Sequence, residues 1–130
     1  MKFARGGSLW GPPVLYLSLI FALSSMSNPP VPAWVDQNLL HYPEYALLAF
    51  LVIRAFQGTW TRMGALPLSI LALGFTTIWG ATDELHQAFV PRRVPDPLDW
   101  WHDIIGATAG ILIWWGWHFI WSRRSSRPSS

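Results

Sequence analysis

The chain has 130 residues, of which 52% are hydrophobic and 12% are charged, so it forms one small domain with too little polar surface for a soluble protein. Its ten Trp residues favour a membrane–water interface, and the absence of Cys excludes disulfide frameworks, thiolate metal sites and cysteine nucleophiles. The net charge of +2 comes from basic residues scattered beside apolar runs, a pattern that orients a membrane protein and does not indicate nucleic acid as a partner.

Four hydrophobic stretches follow one another along the chain, and each is apolar around its whole circumference. Because a spanning helix needs roughly 20 mostly apolar residues, the sequence predicts an all-α fold, an integral membrane bundle of four transmembrane helices. The second stretch reaches this length only if the polar turn that begins at Leu39 is helical. The expected spans are residues 9–26, 41–57, 65–82 and 103–121, inside a transmembrane domain of residues 1–122, with a disordered cytoplasmic tail at 123–130.

The first stretch also has the features of a cleaved signal peptide. Lys2 and Arg5 precede it, residues 14–23 are apolar, and the small residues of "SSMS" suit a cleavage site. The segment Trp10-Gly11-Pro12-Pro13 is an awkward start for the apolar core of a signal peptide, and the stretch is long enough to span. A retained first span is therefore favoured, and cleavage stays the alternative.

The charged residues separate according to the side of the membrane that four spans would give them. Every one of the seven carboxylates falls on one side, together with the pair Arg92 and Arg93. Basic residues mark the cytoplasmic side of a membrane protein, so we expect both termini to be cytoplasmic and the acidic surface to face outward. The basic residues on the cytoplasmic side are Lys2, Arg5, Arg54, Arg62, Arg123, Arg124 and Arg127.

Polar residues at helical spacing mark the outer ends of three spans. The spacing i, i+3, i+4 gives each group one shared helix face, and a carboxylate facing lipid at mid-bilayer costs about 2.5–3.5 kcal/mol. We therefore expect these faces to meet in one site, called here the polar cluster. Its predicted members are His41, Glu44, Tyr45, Asp83, Glu84, His86, Gln87, Arg93, Asp99 and Asp103.

Several roles remain open for these side chains. Asp83 and Glu84 also suit headgroup water, and Arg93 also suits lipid phosphates or a desolvated ion pair with Asp83 or Asp103. The cluster has enough nitrogen and carboxylate ligands for a divalent metal, but no two-histidine helix motif is present, so we expect no metal site and no cofactor. Further along the fourth span, Gly106 and Gly110 are spaced for close helix packing, which also allows a homo- or hetero-oligomer through that face.

Four ordered motifs resemble those of the VanZ-like family of small bacterial membrane proteins. They are "HYPEY" at 41–45, "DELHQAF" at 83–89, "PRR" at 91–93, and the spacing Asp99, Asp103, Gly106, Gly110. The resemblance covers about residues 36–112. Two departures stand out: Asp36 is followed by Gln37-Asn38 where the family often has Asp-Lys, and Arg92 replaces a loop glycine, which puts a tight turn there in doubt.

The family's namesake is associated with low-level resistance to the glycopeptide teicoplanin. The resemblance therefore implies a multi-pass protein of the bacterial cytoplasmic membrane that acts at the outer face of that membrane. We expect it to contact membrane lipids and to bind or modify a cell-surface or lipid-linked molecule, most simply an anionic one. A membrane-embedded metal-assisted hydrolase and a non-enzymatic scaffold in a membrane complex are the alternatives, and no catalytic residue is assigned.

Overall fold

A computed structural model describes residues 2–125, which fold into four α-helices and no strand within that range. They are α1 (Lys2–Ser24), α2 (Gln37–Thr59), α3 (Ala65–Gln87) and α4 (Pro97–Ser125). The predicted all-α membrane bundle is confirmed, because all four helices are long and apolar enough to cross a membrane. Helix α4 continues three residues into the expected tail at 123–130, and residues 126–130 lie outside the described residues.

Two aspartates determine where α2 and α4 begin. Asp36 has an extended backbone and accepts a hydrogen bond from the Asn38 backbone N–H at 3.0 Å. Asp96 accepts one from the Leu98 backbone N–H at 2.9 Å and is followed by Pro97, a residue suited to the first helical position. Both helices therefore start several residues before the expected spans at 41 and 103. The polar turn at Leu39 is helical, and α2 has 23 residues.

Helix α2 is the central helix, because it packs against all three other helices, most extensively against α4, and contributes the most buried side chains. Its buried side chains run along its length and form most of the core: Tyr45, Leu48, Ala49, Val52, Ile53, Ala55 and Phe56. The outer faces of the other helices leave large apolar side chains uncovered, such as Leu15, Leu66 and Ile78. A soluble protein rarely exposes such a surface, whereas in a bilayer it contacts acyl chains.

Helices α2 and α4 approach each other closely at two glycines of α4. A Cβ atom added to Gly106 would collide with the backbone carbonyl of Tyr42, and one added to Gly110 would collide with that of Ala46. Both glycines are buried inside the chain. This corrects the expectation of an oligomer through the Gly106/Gly110 face, since α2 of the same chain already occupies it.

Replacing Gly110 with Ala should separate α2 from α4, because the obstructing atoms belong to the backbone of Ala46 and cannot rotate away. We expect a loss of about 1–3 kcal/mol in the free energy of unfolding, the usual cost of overpacking. Thermal unfolding in detergent micelles, followed by circular dichroism, measures it.

The matched control is Gly116→Ala on the same helix, where nothing lies within 4 Å of the added methyl group. Because Ala favours helix by up to about 1 kcal/mol over Gly, this control should unfold at the wild-type temperature or above it. Equal unfolding temperatures for the two variants would contradict close packing at Gly110.

Candidate functional site

The acidic side chains lie at one end of the bundle, and four of the arginines lie at the other. The C-terminal ends of α1 and α3 and the N-terminal ends of α2 and α4 form one end, called here the polar end. All seven carboxylates belong to it. The opposite, basic end carries Arg54 and Arg62 around the α2–α3 loop and Arg123 and Arg124 at the end of α4.

A short hydrogen bond between His41 and Asp103 joins α2 to α4 at the polar end. The distance from His41 Nδ1 to Asp103 Oδ1 is 2.7 Å, and the Asp103 side chain is 1% exposed. Gly80 of α3 makes room for this pair, because a Cβ atom there would lie 2.7 Å from Asp103 Oδ2 and 3.3 Å from Tyr45 Cε1. A buried carboxylate needs such a partner, since desolvation without one costs several kcal/mol.

Asp99 lies one helical turn before Asp103 and also approaches histidines. Its Oδ2 is 3.7 Å from His41 Nε2, and its Oδ1 is 3.4 Å from His102 Nδ1. Neither contact is short or well enough aligned to be a hydrogen bond, and Asp99 Oδ1 has no hydrogen-bond partner among the described residues. His41 is therefore flanked by two aspartates, only one of which it binds closely.

The two neighbouring carboxylates on α3 point to different parts of the polar end. Asp83 Oδ2 accepts a hydrogen bond from Gln87 Nε2 at 3.0 Å, one turn later on the same helix. Glu84 Oε2 accepts one from the Asp96 backbone N–H at 3.2 Å, which ties the end of α3 to the start of α4. The second oxygen of each carboxylate, Asp83 Oδ1 and Glu84 Oε1, is buried without a hydrogen-bond partner in the described chain.

The loop between α3 and α4 forms a tight turn although it lacks a glycine. Arg92 has a φ of 68°, and the Arg93 backbone N–H bonds to the Val90 carbonyl at 3.2 Å. Pro91 at the second position and a positive φ at the third are typical of a type II turn, which favours Gly at the third position. The turn that the sequence left in doubt is therefore present, with Arg92 in the left-handed conformation.

The turn directs Arg93 onto the C-terminal end of α1. Its Nε donates to the Met26 carbonyl at 3.0 Å, and its Nη2 donates to the Leu23 carbonyl at 3.2 Å. Leu23 lies in the last turn of α1, where the carbonyls carry partial negative charge, and Met26 lies two residues beyond the helix end. The guanidinium therefore binds both the end of α1 and the loop that follows it. The ion pair that the sequence left open does not form, since Arg93 pairs with neither Asp83 nor Asp103 in the described part of the chain.

A cavity of about 170 Å³ lies between α1, α2 and α3 at the polar end. At roughly 30 Å³ per molecule it is large enough for several waters. Its apolar side comes from α1 and the Pro-rich loop that follows, including Ile20, Leu23 and Val31. Its polar side includes His41, Glu44, Asp83, Gln87 and Arg93.

Two members of the predicted cluster, His86 and Tyr45, neither line the cavity nor share the hydrogen bonds described above. The Nε2 of His86 lies 3.0 Å from Ser25 Oγ, and its ring stacks on Phe21 with centroids 4.7 Å apart, so it packs against α1. Tyr45 lies beneath the cluster, 1% exposed, and its hydroxyl has no hydrogen-bond partner in residues 2–125. The other eight members either line the cavity or surround His41 and Asp99.

The structure also adds parts of the site that no sequence motif marked. The carbonyls of Leu23 and Met26 receive Arg93, and the backbone of Asp96 receives Glu84. Their only signal in the sequence is positional, because an apolar helix leaves unpaired carbonyls wherever it ends and an Asp-Pro pair suits a helix start.

A family model described as VanZ/LLP1 matches residues 13–121. The matched range contains the polar cluster, the cavity lining, and both Gly106 and Gly110. No curated protein sequence and no solved structure shows a significant match to the chain.

Replacing Arg92 with Gly should stabilise the protein, because Gly adopts a positive φ without the cost of about 1–2 kcal/mol that other residues incur. Part of this gain is lost to the greater freedom of Gly in the unfolded chain, so we expect a net gain of up to about 1 kcal/mol. Arg92→Ala is the control, since it removes the same charge but keeps the Cβ atom. If both variants change the unfolding temperature equally, the gain comes from charge and not from the backbone.

Proposed function

The chain belongs to the VanZ/LLP1 family, and we propose that this membrane protein binds or modifies a polar cell-surface or lipid-linked molecule of the bacterial envelope. The observation that carries the proposal is the cavity at the polar end. There a cationic group, two carboxylates and an imidazole meet in one partly enclosed space beside apolar side chains. Polar groups that converge in a concave apolar setting are the usual form of a ligand site.

The proposed orientation places the polar end outside the cytoplasmic membrane and both termini in the cytoplasm. The arginines at the basic end support it, because basic residues are retained on the cytoplasmic side. An outward site would also account for the link to glycopeptide resistance that the family resemblance implies, since the namesake acts at that face.

The cavity offers both donors and acceptors to a ligand. A guanidinium has five N–H donors, and Arg93 uses two of them on the carbonyls of Leu23 and Met26. The remaining donors suit an anionic oxygen, such as that of a phosphate. Asp83 Oδ1 has no partner in the described chain and suits a hydroxyl or amine donor on the same ligand. These donors and acceptors fit a phosphate-bearing headgroup that also carries hydroxyl or amine groups.

An apolar groove continues from the cavity along the outside of α1 and α2. It is lined by Tyr16, Leu19, Ile20, Leu23, Leu40, Pro43, Glu44 and Leu47, and it shares Ile20, Leu23, Leu40 and Glu44 with the cavity. A molecule with a polar head and an acyl or prenyl chain would fill both, with its head near Arg93 and its chain against α1 and α2. The groove is the reason to favour a lipid-linked ligand over a free polar one. A scaffold role has less support, because the Gly106/Gly110 face is internal.

Replacing Arg93 with Gln or Asp83 with Asn should weaken binding of a polyprenyl phosphate about tenfold or more, since a hydrogen bond to a charged group contributes about 1.5–3 kcal/mol. Native mass spectrometry of the purified full chain, titrated with the lipid, measures the bound fraction. Arg92→Gln is the matched control, because Arg92 is exposed, adjacent in sequence and outside the cavity lining.

Arg93 also holds the end of α1, so its replacement can destabilise the protein. The unfolding temperatures of the same samples show whether a loss of binding reflects a loss of folded structure. Asp83→Asn keeps the size of the side chain and its contact with Gln87, so it tests the cavity with little change in packing. Wild-type affinity in both Arg93→Gln and Asp83→Asn, or an equal loss in Arg92→Gln, would show that the lipid binds elsewhere.

A further inference from the structure

Three possible metal ligands from three different helices converge at the polar end. They are His41 of α2, Glu84 of α3 and Asp99 of α4, and one ligand atom from each lies within 4.8 Å of the other two. We propose that these residues bind a divalent transition-metal cation, zinc or manganese. The inference goes beyond the proposed function and stands or falls independently of any lipid ligand.

His41 is already oriented in the way that metal-binding histidines are. Its Nδ1 is hydrogen-bonded to the buried Asp103 carboxylate at 2.7 Å, which leaves Nε2 directed toward Asp99. A metal-binding imidazole almost always uses its other nitrogen to bond a carboxylate or carbonyl, which fixes the ring and raises its basicity. Asp103 therefore serves as a positioning residue, and His41 Nε2 is the nitrogen ligand.

Each of the two carboxylates has one buried oxygen without a hydrogen-bond partner in the described chain. The Asp99 side chain is 12% exposed; its Oδ1 faces His102 Nδ1 at 3.4 Å and its Oδ2 faces His41 Nε2 at 3.7 Å, and neither contact is a hydrogen bond. Glu84 is held by the Asp96 backbone through Oε2, while its Oε1 is inaccessible to water and unpaired. An unpaired buried charge is strongly unfavourable, so buried carboxylates are normally paired or coordinate metals.

An ion pair between His41 and the aspartates explains only part of this arrangement. It accounts for Asp103 at 2.7 Å, but it leaves Asp99 at 3.7 Å and gives Glu84 Oε1 no partner. A cation between the three side chains satisfies Glu84, Asp99 and the second nitrogen of His41 together. This is the reason to infer a ligand there instead of a purely internal network.

The distances suit a small cation after a limited adjustment. Zinc binds nitrogen and oxygen at about 2.0–2.2 Å, so its ligand atoms lie roughly 3–4 Å apart. The separation of 3.7 Å between His41 Nε2 and Asp99 Oδ2 is already in that range. The largest separation among the three ligand atoms, up to 4.8 Å, would shorten on rotation of the Glu84 side chain. The imidazole ligand suits zinc, and the two carboxylates also suit manganese.

Three protein ligands leave at least one coordination position open, as in zinc sites that bind a substrate or water. His41 also lines the cavity, so the open position would lie close to it. The cation would bring positive charge to an otherwise acidic site, which favours a phosphate-bearing ligand. No sequence motif marks this site, because the three ligands are far apart in the chain.

The test is a titration of the chelator-treated full chain in lipid nanodiscs with Zn²⁺, followed by isothermal calorimetry and by metal analysis after dialysis. We expect one zinc per chain in the wild type and loss of stoichiometric binding in Glu84→Gln and Asp99→Asn. Asp103→Asn keeps all three ligands and should weaken binding about 10–100-fold, the usual effect of removing such a supporting carboxylate.

Two controls address adventitious zinc and folding. His118→Gln removes a histidine at the basic end, and Asp36→Asn removes a carboxylate outside the set, so both should bind zinc as the wild type does. Added zinc should raise the unfolding temperature of the wild type and of both controls, and it should not do so in Glu84→Gln. No stoichiometric binding of zinc or manganese by the wild type would overturn the inference, and so would unchanged binding in both Glu84→Gln and Asp99→Asn.

The polyprenyl phosphate titration, repeated with and without a chelator, distinguishes this inference from the proposed function. Zinc binding without lipid binding would overturn the proposed function and support the metal site. Lipid binding without any zinc or manganese binding would overturn the metal site alone.

Discussion

The hydrogen bond between His41 and Asp103 is the interaction on which the polar end depends. It joins the central helix α2 to α4 at the point where a carboxylate is almost completely buried. Such a carboxylate has no water to solvate it, so the helices must approach closely enough for it to find a partner. The glycines make that approach feasible: Gly106 and Gly110 bring α4 onto the backbone of α2, and Gly80 leaves space for Asp103 beside α3. The close packing at the glycines and the His41–Asp103 hydrogen bond therefore depend on each other.

Arg93 joins α1 to the rest of the polar end, as the His41–Asp103 hydrogen bond joins α2 to α4. Most of α1 faces outward, yet the guanidinium binds the Leu23 carbonyl in its last turn and the Met26 carbonyl just beyond it, which holds the end of the helix against the α3–α4 loop. This contact closes one wall of the cavity, and the same wall continues into the apolar groove between α1 and α2. The positive φ of Arg92 in the preceding turn is the local conformational cost of placing Arg93 there. The cavity therefore depends on a turn, one arginine and a helix end, and not on a conventional side-chain pair.

Sequence reasoning identified the four helices and most of the cluster because apolar length and helical spacing are local properties. It assigned Asp83 and Asp103 to inward faces, and the structure places both there. It could not identify which neighbour each polar group meets: His86 packs on α1, and Arg93 reaches the α1 carbonyls instead of an aspartate. It also left the partner of the glycine face open, since spacing alone does not distinguish a helix of the same chain from that of a second copy.

The proposed orientation, with the polar end at the outer face of the membrane, can be tested directly. Because the chain has no Cys, single cysteines introduced in its exposed loops can be labelled without background. Asn28→Cys lies in the loop after α1 at the polar end, and Thr61→Cys lies in the loop after α2 at the basic end. We expect a membrane-impermeant maleimide to label Asn28→Cys in intact bacterial cells and Thr61→Cys only after the membrane is permeabilised. Labelling of Thr61→Cys in intact cells, with Asn28→Cys protected, would contradict the outward-facing site.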